Sequence, residues 1–291
     1  MDSAAAAPPR TGRIRVGTSG WRYGSWRGDF YPRGLPQRRE LAFIGESFST
    51  VELNGSFYSL QHPDSYRKWR ASVPEGFTFA VKGSRYITHM LRLRNSRTAL
   101  ANFFASGVLA LDDALGPVLW QLPERQEFDP DRLSEFLAML PRTTAEAQAL
   151  ARDHDARLDG RDWLHIDADR PIRYALEPRA ESFAHPDLYA LLRDHRVALA
   201  LADTAGRWPR LEADTTDFAY IRLHGSAELY TSGYSAAELR EWSDLCRRLS
   251  NRQADHPADV YVYFDNDAKG HAPHDARALA DLVGDAPEGA P

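Results

Sequence analysis

Eight short apolar segments alternate with amphipathic ones along the chain, and few folds accept that pattern. Strands are expected at 14–19, 50–57, 77–83, 117–122, 172–178, 197–203, 217–224 and 260–265. Helices are expected at 38–48, 64–72, 96–110, 130–140, 186–195, 236–250 and 273–283, and TTAEAQALARDHDARL (143–158) adds a further helical stretch. Alternation of this kind builds parallel βαβ units. Eight strands in 291 residues fit a single (β/α)8 TIM-type barrel, with a doubly wound open sheet as the alternative. The connection after the sixth strand, TAGRWPRLEADTT, has no helical pattern. Asp64 and Ser235 are placed to cap helices, with Glu238 at capping-box spacing from Ser235, and Pro130 falls in a first helical turn. The barrel is expected to span 13–283, between tails at 1–12 and 284–291.

Charge and cysteine content narrow the function. The formal net charge is −5, from 36 basic and 41 acidic side chains, which argues against general nucleic-acid binding. Nucleic acid would be held only through a local basic pocket. The lone cysteine, Cys246, lies in a helical pattern and reads as a packed residue. One cysteine permits no internal disulfide and no multi-cysteine zinc site, and it fits a reducing cytoplasm. No run of about 18 apolar residues is present, so no membrane span is expected, and the N-terminus lacks the pattern of a signal peptide.

Alternation within the strands separates inward from outward side chains. In FAYIRLHG, Ala219, Ile221 and Leu223 suit the helix-facing side, so Tyr220, Arg222 and His224 point inward. By the same rule Ala175, Glu177 and Arg179 point inward from the fifth strand, Thr78, Ala80 and Lys82 from the third, and Glu52 and Asn54 share one face of the second. Ligands bind at the C-terminal face of such barrels. Polar residues near those strand ends therefore read either as a pocket or as a self-satisfied ion-pair network. Glu52, lower in its strand, is expected to pair with Arg222 or Lys82. Glu177, Arg179 and His224 are expected in the pocket.

Several stretches together carry a family resemblance: GTSGWRYGSWRGDFYP (17–32), FSTVELNGSFY (48–58), GFTFAVKGSRYITH (76–89), VLWQLP (118–123), EPRAESF (177–183), YIRLHG (220–225) and VYVYFDND (260–267). In these, across roughly 13–283, the chain resembles the YecE-like proteins, the domain of unknown function 72 family. The resemblance implies a TIM-type barrel and leaves the activity open. The sequence departs from the family in reading Glu177-Pro178-Arg179 and then Phe183, where members tend to read Glu-Phe-Arg and then Trp. It also carries Asp265-Asn266 at the end of the eighth strand.

Three chemistries fit the inward set. Metal-assisted phosphodiester hydrolysis, of an endonuclease-like kind, would draw on Glu177, Asp203, His224 and Asp265, which is thin for a metal site, so no tightly bound metal and no cofactor are expected. Glycoside chemistry would pair Glu177 with Asp203 or Asp265, with Trp21, Tyr23, Trp26, Phe57, Tyr58 and Trp120 available to stack on a sugar. Anion binding would use Lys82, Arg179 and Arg222 around one negative group, with His224 as acid or base. The reading taken forward is a hydrolase- or lyase-like enzyme on a small anionic partner, a phosphorylated sugar or nucleotide-like molecule. Its expected catalytic residues are Glu177, His224 and Lys82. Trp21, Tyr23, Asn54, Tyr58, Gln121, Arg179, Asp203, Arg222, Asp265 and Asn266 are expected to bind substrate. Trp26, Phe30 and Tyr31 are expected to pack the first loop down. A barrel that binds a ligand or single-stranded nucleic acid without catalysis is the alternative, and the oligomeric state is left open.

Overall fold

A computed structural model describes residues 12–252 and 257–285. Its strands are β1 (Ile14–Ser19), β2 (Thr50–Leu53), β3 (Thr78–Lys82), β4 (Leu115–Gln121), β5 (Tyr174–Glu177), β6 (Val197–Asp203), β7 (Phe218–Leu223) and β8 (Asp259–Phe264). All pair in parallel and in sequence order, and β8 closes onto β1 with Ile14 opposite Val260. The expected (β/α)8 barrel is therefore present. Around it run α1 (Glu40–Ser47), α2 (Gly55–Tyr58), α3 (Pro63–Ala71), α4 (Arg97–Ala105), α5 (Pro130–Ala138), α6 (Thr144–Ala151), α7 (Pro186–Asp194), α8 (Ala236–Ser250) and α9 (Ala272–Val283). Residues 1–11 and 286–291 of the two expected tails lie outside the described residues.

Alternation sorts the strand residues into two cores. Val51, Leu53, Phe79, Val81, Tyr174, Leu176, Ile221 and Leu223 are buried against the helices. The barrel interior holds Ala80, Ala175, Ala198 and Ala200 facing Phe218, Tyr220, Tyr261 and Tyr263. Small residues on β3, β5 and β6 thus make room for the large rings of β7 and β8, so the barrel is filled rather than hollow.

Several boundaries differ from the sequence reading, each for a local reason. The second strand stops at Leu53, because Ser56 Oγ donates to the carbonyls of Leu53 and Lys82 and starts the short α2. The helix expected over 96–110 breaks after Ala105. Gly107 sits at φ +114°, where any Cβ would meet Pro63 Cα at 2.6 Å, and a 3₁₀ turn at Val108–Ala114 follows. Asp64 is not a cap: His62 precedes Pro63 at the helix start, and Asp64 lies in the first turn. Ser235 and Glu238 form the expected capping box, and Pro130 follows the capping Asp129. No helix stands between β6 and β7. Among the described residues, no helix is long and apolar enough to cross a membrane.

Candidate functional site

Several strand ends converge on one guanidinium. Arg222, on β7, is fully buried. Its Nε and Nη2 donate to the two oxygens of Glu52 on β2, at 3.0 and 2.8 Å. Nη1 donates to Glu177 Oε2 on β5 at 2.7 Å, and Nη2 reaches Asp265 Oδ2, one residue past β8, at 3.0 Å. Ser19, at the end of β1, accepts from Arg222 Nη2 and Asn54 Nδ2 and donates to Glu52 Oε1 at 2.6 Å. Tyr220 donates to Glu52 Oε2 at 2.7 Å. A cation at this depth is tolerated only with such a shell, because a buried unpaired charge costs several kcal/mol.

Glu177 is gripped from both sides, by Arg222 at Oε2 and by Arg179 Nε at Oε1, 2.8 Å away. Burial opposes its ionisation, yet the guanidinium groups of Arg179 and Arg222 prevail and hold its carboxyl well below the usual range. Asp265 is likewise held low against burial, chiefly by Arg222. Both oxygens of Glu177 thus orient arginines. His224 is fully buried, and burial together with Arg222 lowers its pKa, leaving a neutral ring. Its Nδ1 lies 3.1 Å from Asp265 Oδ2 without hydrogen-bond alignment.

Two cations at the mouth keep free donors. The Arg179 guanidinium carbon lies over the Trp208 ring, 3.7 Å from its centroid, with Nε committed to Glu177. Its two terminal nitrogens take no hydrogen bond among the described residues. Lys82, at the end of β3, makes no hydrogen bond or ion pair among the described residues, and its Nζ sits 4.6 Å from the Phe57 centroid. Burial, reinforced by Arg222, lowers its pKa to about 8. Gly83 fixes this strand end: a Cβ there would strike the Trp120 ring at 2.2 Å. Gln121, on the neighbouring β4, is buried, and its amide is also unpartnered among the described residues. His89 stands edge-on to Phe57 with ring centroids 5.2 Å apart, and burial, Arg179, Arg85 and Lys82 lower its pKa to about 4. It lies on a π-helical turn, Tyr86–Met90, followed by left-handed backbone at Arg92, Leu93 and Asn95. Such strain concentrates at functional sites.

Other expected site residues lie elsewhere. Trp21 packs edge-on against Trp69 of α3, with ring centroids 5.7 Å apart, and belongs to the outer core. Asn266 is fully buried and donates to Asp275 of α9 and the Ser232 carbonyl. Asp203 accepts from the Tyr234 hydroxyl at 3.0 Å and lines a groove with Arg210 and Trp242 beside α8. Tyr58 is exposed. Tyr23 stays near the network: its hydroxyl donates to the Ser19 carbonyl, and burial raises its pKa, with Asp265, Asp267 and Glu52 adding to the rise. The rings of Trp26, Phe30 and Tyr31 pack on one another at edge-on and tilted angles, and the Trp26 indole donates to Asp267. No group of three or more His, Cys, Asp or Glu placed to hold a metal occurs among the described residues.

The barrel and its mouth can now be set beside known proteins. Residues 15–291 match the model of the protein family of unknown function DUF72. The chain belongs to the DUF72 family. The UPF0759 protein YunF of Bacillus subtilis (strain 168) is 23% identical, over 93% of this chain and 94% of that one. A DUF72 family protein of Thermotoga maritima MSB8 is 25% identical with a TM-score of 0.72, covering 94% of this chain and 99% of that one. A DUF72 family protein of Enterococcus faecalis V583 shares the fold at 16% identity and a TM-score of 0.68, over 93% and 95% of the two chains.

In this DUF72 chain the sequence reading missed Trp208, His89 and Ser19 as mouth residues. Trp208 comes from the connection after β6, whose lack of a helix was legible. His89 closes the stretch GFTFAVKGSRYITH, but a histidine seven residues past its strand gives no signal of facing back onto it.

Proposed function

We propose that this protein is an enzyme of the hydrolase or lyase type that acts on a small anionic molecule at the C-terminal mouth of the barrel. The substrate class is a phosphorylated sugar or a nucleotide-like fragment. One observation carries the reading: Arg179 is held rigid by Glu177 and Trp208 while both its terminal nitrogens take no hydrogen bond among the described residues, and it and the Lys82 ammonium both act electrostatically on His89. A fixed guanidinium with two free donors suits bidentate contact with a phosphate or carboxylate. The network carboxylates Glu52, Glu177 and Asp265 are engaged by Arg222, so they do not compete for the anion. Lys82 and neutral His89 are the groups free to move protons.

Titration calorimetry with ribose 5-phosphate and with ribose tests this. The phosphate ester is expected to bind and the free sugar not. Arg179→Gln should weaken binding about 10- to 100-fold, as for a lost charge-assisted pair. Equal behaviour of the two sugars, or full binding by Arg179→Gln, would overturn the reading.

A further inference from the structure

The chain contains three lysines against thirty-three arginines. Lys68 and Lys269 are exposed, and Lys82 alone is buried. Every other cation of the mouth is an arginine, which cannot lose its proton and cannot become a neutral nucleophile. Lys82 is also the mouth cation without a direct ion pair among the described residues: Arg222 has three carboxylates and Arg179 has one, while the Lys82 ammonium sits over the Phe57 ring and feels Glu52, Asp265 and Glu177 only at longer range, against burial and Arg222. A lysine kept solely for its charge would gain by pairing.

We propose that Lys82 is a catalytic nucleophile that forms an imine with the carbonyl carbon of a phosphorylated aldehyde or ketone, whose phosphate is held by Arg179. This deepens the anion-site reading and rests on it. The neutral amine adds to the carbonyl carbon to give a carbinolamine. The carbonyl oxygen then leaves as water, taking the two hydrogens that the amine gives up, and a C=N bond to Nζ remains. Protonated, that imine withdraws electrons from the neighbouring carbon, which is the sink a lyase needs. His89 suits the proton transfers. Its Nδ1 pairs with Thr88 Oγ1 at 2.8 Å, and its Nε2 has no partner among the described residues. The lowered pKa of Lys82 supports the scheme, since near pH 7 about a tenth of the amine is neutral, against less than about a thousandth for an ordinary lysine.

The test is reductive trapping. The full-length protein is incubated with glyceraldehyde 3-phosphate and cyanoborohydride, which adds hydride to the imine carbon, and the modified peptides are mapped by mass spectrometry. Lys68 and Lys269 serve as internal controls. Lys82 is expected to be modified at least about tenfold faster than either, with a rate rising through about pH 8, where the amine loses its proton. Inorganic phosphate should suppress labelling at Lys82 only, and Lys82→Arg should remove it. Equal labelling of the three lysines, or none at Lys82, overturns the imine. If ribose 5-phosphate still binds in that case, the anion site stands without it; if it does not bind, both readings fall.

Discussion

The barrel holds ion clusters at both ends, and they are built differently. At the N-terminal end Arg173 donates to Asp259 at 2.5 Å, Asp217 lies 3.5 Å away, and Arg15 flanks Asp259 at 3.7 Å. These groups are partly open to solvent, and both terminal nitrogens of Arg173 are engaged. At the C-terminal end Arg222, Glu52 and Glu177 have no exposure at all, while Arg179 and Lys82 at the rim keep donors without acceptors. One end closes its charges on themselves near water. The other buries a self-contained core and leaves a cationic rim. Protein stability alone accounts for the first arrangement, whereas the second retains groups that a ligand would complete.

The comparison is broken or sharpened most by Arg222→Met. It would leave two fully buried carboxylates and the partly buried Asp265 around an apolar side chain. The expected loss exceeds about 5 kcal/mol, read by urea denaturation, and the variant should fail to accumulate as folded protein. A loss near 1 kcal/mol would show that the C-terminal cluster is no more demanding than the N-terminal one.

Next comes the pair Glu177→Gln and Asp259→Asn. The first weakens contacts to the buried Arg222 and the rim residue Arg179 and should cost about 3–5 kcal/mol. The second acts on a half-wet cluster and should cost about 1 kcal/mol. Equal costs would erase the distinction between the two ends. Glu177 and Asp265 at one end and Asp259 at the other are held low in the folded state. Their stabilisation is thus present above the unfolded carboxyl range and lost as pH falls toward the folded values.

Lys82→Met acts with the opposite sign. Removing an unpaired buried ammonium should raise stability by about 1–3 kcal/mol at pH 7. Because the folded-state pKa of Lys82 is lowered to about 8, the wild type should gain stability as pH rises from about 8 toward the ordinary lysine value of 10.5. The difference from Lys82→Met should shrink over that window, as thermal denaturation at pH 7 and pH 10 would reveal. A destabilised Lys82→Met would mean that the ammonium has a partner after all.

Pattern alone determined the barrel. Period-two alternation in FAYIRLHG and its counterparts is a property of the strand itself, so it sorted Arg222 and His224 from Ile221 and Leu223 before any contact was known. The same rule placed Lys82, Glu177 and Arg179 on the inner face. Alternation does not say how high a side chain stands or which neighbour it meets. Only the closed barrel, by bringing β2, β5 and β7 to one axis, made Arg222 the hub and set Glu177 between two guanidinium groups. Residues past the strand ends obey no period, so Asn266 turned toward α9 and Trp21 toward α3 while Trp208 and His89 came to the mouth. Loop side chains go where tertiary packing leaves room, and that information lies in the assembled neighbours, not in the local sequence.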